Sequence, residues 1–308
     1  MFRNLSPKAL GITGRQSEII ELALTYGFRG LELDIYDFAK RVGHRGLDHA
    51  SRFIRSSQLK IGGFELPIRW RADEATFKAD LEKLPEILGF AVAIGGKCCH
   101  THVLPGSNEL PYHENFELHR KRLATIGDLL GQQGVRLGIG LLVAPAHRQD
   151  QQFQFIREAE SLVTLLKSIG SDNVGLMLDT WNWHFAGGTL DALRGLGEKG
   201  IVSAYLADAP ADATADNLSE DQRMLPYSDG PVNNLAVIAL LNELGYKGPV
   251  TLAPNPRCVT GKTRDAIVQH CGNLLEDMWR SIGLARPVKA PATVAAAAAA
   301  AAAEDVGA

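Results

Sequence analysis

Short apolar runs alternate along this chain with longer stretches whose apolar residues recur at helical spacing. Ala9-Leu10-Gly11-Ile12 reads as a first strand. Ser17 to Tyr26 follows as a helix, with Ile19, Ile20, Leu22, Ala23 and Leu24 on its apolar side and Gly27 where a C-cap would fall. Gly30-Leu31-Glu32-Leu33-Asp34 reads as a second strand and Leu59 to Phe64 as a third, with a helix over Asp48 to Ser57 between them. Helices over Phe77 to Ile94 and Leu118 to Gln133 then alternate with strands over Cys98 to Leu104 and Val135 to Val143. The second half keeps this rhythm. Strands fall at Val174 to Leu178, Ile201 to Leu206 and Val250 to Ala253, and helices at Ile156 to Ile169, Leu190 to Leu196, Leu235 to Leu244 and Asp265 to Ile282.

Eight strand–helix repeats over roughly 280 residues predict a single (β/α)₈ TIM barrel of class α/β. An open, doubly wound sheet would show the same alternation. It loses because no Gly-x-Gly-x-x-Gly turn follows the first strand and no topological switch point can be named. The barrel is expected to occupy residues 1–285. From Arg286 the composition changes: Pro287 to Thr293 leads into polyalanine and Glu304-Asp305. This low-complexity segment, 286–308, has no amphipathic face and is expected to be disordered.

Composition narrows the function classes. The 308 residues carry a net charge of −3 with no long basic run, so nucleic acid is not an expected partner. No apolar run reaches the ~18 residues of a membrane span, so no membrane association is expected. Met1-Phe2-Arg3-Asn4-Leu5-Ser6 has no apolar signal core, and the adjacent Cys98 and Cys99 do not read as a secreted disulfide framework. A reduced, cytoplasmic setting is the expectation.

In a barrel the chemistry lies at the C-terminal ends of the strands. The candidates there are Glu32 and Asp34 on the second strand, Glu65 on the third, and His100 and His102 on the fourth. The sixth offers Asp179, Asn182 and His184, the seventh Tyr205 and Asp208, and the eighth Asn255 with Arg257 just beyond. Glu32 and Glu65 end adjacent strands and are the candidate acid/base pair; the alternative is a rim paired with Arg69 and Arg71. Cys98, His100 and His102 share one strand face and could form a metal site with Asp179, or be a buried thiol and two polar mouth residues. Trp181 and Trp183 flank Asn182, where one ring could stack on a sugar or be core. Asp208 is expected to cap the long loop that follows it, and His184 to shape its own loop. Ser-His-Asp catalysis has no support, since no Gly-x-Ser-x-Gly turn occurs.

Val174 to His184, Tyr205-Leu206-Ala207-Asp208-Ala209-Pro210, Gly89 to Pro105, Arg223-Met224-Leu225-Pro226 and Gly245 to Val250 together resemble the xylose-isomerase-like sugar isomerases and epimerases. The resemblance runs from about Leu10 to Cys271. It implies a divalent ion held by a Glu on strand five, an Asp on strand six, a His on strand seven and a Glu on strand eight. Such an ion stabilises an enediolate oxygen while the Glu residues move a proton between carbons. Carried onto this chain, the strand-six ligand is Asp179. The other three positions fall on Gly140, Tyr205 and Ala253, and a substrate-facing His falls on Asn182. One carboxylate does not hold a divalent ion.

The expected pocket comprises Glu32, Glu65, His100, His102, Asp179, Trp181, Asn182, Tyr205 and Asp208. The function expected is binding of a sugar-like small molecule through a degenerate metal site, with no cofactor. The alternative is an active isomerase or epimerase using a re-sited Mn, Zn or Mg ion and Glu32 or Glu65 as acid/base. A DNA-repair endonuclease shares this superfamily, but its His- and Glu-rich cluster and basic surface are missing here.

Overall fold

Eight parallel strands close on one another in a computed structural model that describes residues 1–226 and 230–284. They are β1 (Phe2–Leu5), β2 (Gly30–Glu32), β3 (Lys60–Glu65), β4 (Cys98–Val103), β5 (Arg136–Leu141), β6 (Val174–Asp179), β7 (Ile201–Leu206) and β8 (Pro249–Leu252). Closure is made by β1. Asn4 pairs with Gly30 of β2 on one side and with Thr251 of β8 on the other. The predicted tail at 286–308 lies outside the described residues.

The helices cover the barrel as α1 (Gln16–Thr25), α2 (Ile35–Arg45), α3 (Leu47–Ser57), α4 (Glu74–Ala93), α5 (Tyr112–Gln132) and α6 (Ala159–Ile169). They continue as α7 (Thr180–Phe185), α8 (Leu190–Gly200), α9 (Asn234–Glu243) and α10 (Arg264–Ser281). Their apolar sides and the outward strand residues form one continuous core that includes Phe38, Leu84, Leu123, Ile139, Leu176 and Leu275. None of the described helices is long and apolar enough to cross a membrane.

Three elements depart from the sequence expectation, one of them the short helix α7, which the sequence reading leaves out. The first strand is Phe2–Leu5, not Ala9–Ile12. Ala9–Ile12 lies in a turn closed by Leu10 N–H to Ser6 O, Gly11 N–H to Lys8 O and Ile12 N–H to Pro7 O. Leu10 and Ile12 are buried there as a plug at the barrel mouth, so they are apolar without belonging to the sheet. The helix α2 was not predicted. It buries only Ile35, Phe38 and Val42, and the charged residues between them hide that stripe. Asp34 starts it by accepting the Asp37 N–H at 2.9 Å.

Inside the barrel, small residues on one strand make room for larger ones on its neighbours. A Cβ on Gly62 would lie 1.9 Å from Asn4 Oδ1, and Asn4 donates to Thr251 Oγ1 at 2.9 Å. One polar tie therefore joins the neighbouring β1 and β8 inside the lumen, and the Asn4 side chain fits there because β3 has no side chain at Gly62.

Candidate functional site

The C-terminal ends of the strands bring two polar clusters together. The first spans the barrel from β7 to β2. Tyr205 donates its hydroxyl to Glu32 Oε1 at 2.7 Å, and His100 Nδ1 lies 3.3 Å from the same phenol oxygen. The two rings meet edge to face with centroids 5.5 Å apart, and His100 Nε2 is 3.7 Å from Glu32 Oε1. Tyr205, the residue on which the resemblance places the seventh-strand ligand, is thus tied to a carboxylate across the barrel. Burial pushes the Glu32 carboxyl above its usual range, against the opposing hydrogen bonds from Ser6 and Tyr205. Burial also lowers His100 and His102 to about 4, so both rings are neutral near pH 7.

The second cluster joins β6 to the loop that follows β7. Asp179 Oδ1 accepts the Asn182 N–H at 2.9 Å and so caps α7. Its other oxygen accepts from Arg223 Nη2 at 2.6 Å, with both side chains under a tenth exposed. Arg223 Nε donates to the Ala253 carbonyl oxygen at 3.0 Å, and its guanidinium lies 4.8 Å from the centre of the Trp181 ring. Burial disfavours that charge, but Asp179 and Glu220 outweigh it and raise the Arg223 pKa. The guanidinium therefore bridges the end of β6 to the chain just past β8.

The remaining candidates are spread around these clusters. Asn182 turns its Oδ1 to the Val143 N–H at 3.1 Å, so it serves the loop after β5. Trp181 is fully buried beneath Arg223, and Trp183 is core. Asp208 Oδ1 accepts the Ala209 N–H at 2.9 Å and the Val232 N–H at 3.1 Å, holding both ends of the long loop. Cys98 donates its thiol hydrogen to Gly62 O at 3.1 Å, and burial lifts its pKa to about 12. Among the described residues, no three His, Cys, Asp or Glu side chains are placed to share a metal ion, so Cys98, His100, His102 and Asp179 do not assemble one.

Glu65 is paired with Lys8, not with the arginines expected from sequence. Lys8 Nζ donates to Glu65 Oε1 at 2.6 Å. Arg69 instead makes a two-pronged contact with Asp80, and Arg71 donates to the His102 carbonyl at 2.7 Å. Two arginines near in sequence were drawn away by a helix acid and a backbone oxygen. Burial raises the Glu65 carboxyl, but Lys8 outweighs it and the net shift is downward.

Two cavities at this end are bordered by Glu65. One, of about 550 Å³, is lined by Ser6, Lys8, Glu32, Asp34 and Tyr36 among others. The other, of about 440 Å³, is lined by His100, His102, Trp70 and Arg71 among others. Asp179, Trp181, Asn182, Tyr205 and Asp208 border neither. Sequence reasoning missed Lys8, Ser6, Tyr36 and above all Arg223. Arg223 stood in a segment that resembled the family, but nothing in one dimension marks a loop arginine as buried against Asp179.

The chain matches the xylose isomerase-like TIM barrel family over residues 20–274. A curated Xenopus laevis protein provisionally named hydroxypyruvate isomerase is 25% identical over 185 residues, which are 58% of this chain and 62% of that protein. This chain therefore spans less than two thirds of that relative's length. An inosose isomerase of Bacillus velezensis is 19% identical over 235 residues, 76% of this chain and 81% of that protein. Among solved structures, a xylose isomerase domain protein from Alicyclobacillus acidocaldarius superposes with a TM-score of 0.81 at 22% identity, covering 92% of this chain and 99% of that one.

Proposed function

Because the chain belongs to the xylose isomerase-like TIM barrel family of sugar isomerases and epimerases, we propose that it binds a small sugar-like molecule at the barrel mouth without the family's metal-dependent proton transfer. The observation that carries this reading is the engagement of Asp179. Its carboxylate, the one metal ligand kept from the resemblance, is spent on Arg223 and on the cap of α7. The donor set around it speaks against a divalent ion. Gly140 and Ala253 offer no side-chain donor, and the Tyr205 phenol is turned to Glu32. The space between β6 and β8 is crossed by a guanidinium that stays charged at any ordinary pH and repels a second cation.

The ligand class follows from the groups still open to solvent. Glu65, Lys8, Asp34 and Tyr36 border the larger cavity beside apolar Ile12 and Leu33. Alternating donors, acceptors and apolar faces suit a compound rich in hydroxyls. The relatives named for inosose and hydroxypyruvate act on small oxygenated compounds, which supports the same class.

The test is calorimetric titration of the full chain with a panel of ketoses and cyclic ketopolyols, in EDTA and again in excess Mn²⁺. Binding of at least one compound with equal affinity in both buffers, without conversion of it over hours, is the expected result. Turnover that appears only with Mn²⁺ would overturn the reading.

A further inference from the structure

The opposite end of the barrel carries a further cavity, of about 620 Å³, which lies within the roughly 300–1,000 Å³ of small-molecule sites. Its walls are apolar and come from the strand starts. Phe2, Ile61, Val202, Tyr246 and Pro249 line it, together with Cys98. Its rim is cationic: Lys60, Lys97, Arg136, Lys199 and Lys247 border it, against the single carboxylate of Glu198. The chain as a whole is acidic, at −3, so this local excess runs against the overall balance.

Asp172 favours the charge on Arg136, but the rim lysines stand outside any ion pair among the described residues. The lysines in ion pairs among the described residues are Lys8 and Lys78, both elsewhere. Lys60 rests its ammonium 4.9 Å from the Phe2 ring centre. Arg136 spends its donors on the Ile201 and Lys199 carbonyls, which fixes its guanidinium half-buried at the rim. The Met1 ammonium, close by, has its pKa lowered by burial and then by Lys247 and Lys60. Helix C-termini at this end carry about half a unit of negative charge each, which offsets part of the repulsion without filling the cavity.

We propose that this N-terminal cavity binds an amphipathic anion, an apolar chain or ring bearing one carboxylate or phosphate. The apolar body would occupy the space between Ile61, Val202 and Pro249 and release water from their surfaces. The acid group would sit at the rim between Lys199, Lys247 and Lys60, where it gains from several cations at once. Neither half suffices. An uncharged apolar molecule leaves the cations uncompensated, and a bare anion leaves the walls wet. The site shares no lining residue with the two mouth cavities.

The experiment is calorimetric titration of the full chain with octanoate, octyl phosphate, octan-1-ol and inorganic phosphate at low salt. Repeats use K199Q/K247Q, whose altered side chains sit at the rim and leave the core intact. One octanoate or octyl phosphate per chain is expected, whichever binds tighter naming the acid group. Octan-1-ol and inorganic phosphate should each bind at least about tenfold more weakly, and K199Q/K247Q should lose about tenfold for both acids, as should the parent in high salt. Equal binding of octan-1-ol and octanoate would overturn the proposal, as would equal binding of inorganic phosphate and octyl phosphate. So would an unchanged affinity in K199Q/K247Q, or the absence of binding by both acids. A ketose bound at the mouth should not compete, so failure here leaves the mouth reading standing and the reverse holds too.

Discussion

Arg223 Nη2 stands 2.6 Å from Asp179 Oδ2 in a place where almost no water reaches either group. A buried pair of this kind is costly to break from one side, because the survivor is left charged without a partner. Arg223→Ala should therefore lower the unfolding free energy by about 3–5 kcal/mol. The double change Asp179→Asn with Arg223→Met should recover much of that loss. Asn keeps an oxygen for the Asn182 N–H, and Met keeps the apolar stem over Trp181. Urea unfolding of the three proteins measures this. A double variant no more stable than Arg223→Ala would mean that the charges themselves matter little.

Acid should destabilise the protein through its buried histidines. His100, His102 and His119 are each held by burial at about 4, below the usual 6.5. Their unfolded forms bind protons that the folded forms refuse, so stability is full above pH 6.5 and falls between about 6.5 and 4. Each ring contributes up to about 1.4 kcal/mol per pH unit within that window. His119 allows a clean test, since it lies outside both clusters, packed between Trp70 and Phe155. His119→Phe should flatten the fall in unfolding free energy from pH 6.5 to 4.5 by about one proton's worth. An unchanged slope would show that this ring is charged in the folded state.

The Asn4–Thr251 tie between β1 and β8 depends on a bare backbone at Gly62. A Cβ there would overlap Asn4 Oδ1, so Gly62→Ala should cost about 1–3 kcal/mol or more through overpacking. Gly62→Ala combined with Asn4→Ala should be more stable than Gly62→Ala alone, measured by thermal unfolding. A Gly62→Ala protein as stable as the parent would mean that Asn4 is free to move.

The barrel was legible because burial writes period and length into a strand. Ile201–Leu206 has all six residues buried, and it was found to the residue. Phe2–Leu5 was not, because four residues carrying an arginine and an asparagine look like no strand until Asn4 is seen pairing inside the lumen. The site was legible to the extent that residue type alone decides it. Glu32, Glu65, His100, His102 and Tyr205 could be named from strand ends. Which of them touch could not, because Tyr205 and Glu32 are 173 positions apart and Arg223 and Asp179 are 44. Partners so distant in the chain leave no periodic trace.

Restoring the family's ligands is the most direct measurement, because it asks whether Arg223 holds the ion's place. Gly140→Glu needs His102 to give way, since a Cβ there lies 3.1 Å from its Cδ2. Metal titration should be run on four proteins: the parent, Arg223→Ala, the triple change Gly140→Glu, Tyr205→His and Ala253→Glu, and the triple change with Arg223→Ala added. No stoichiometric Mn²⁺ or Zn²⁺ is expected in the parent, in Arg223→Ala or in the triple variant, where the guanidinium still occupies Asp179. About one ion per chain is expected in the fourth, with a melting temperature that rises with ion concentration. Tight, stoichiometric binding by the parent would show that Arg223 does not hold the ion's place.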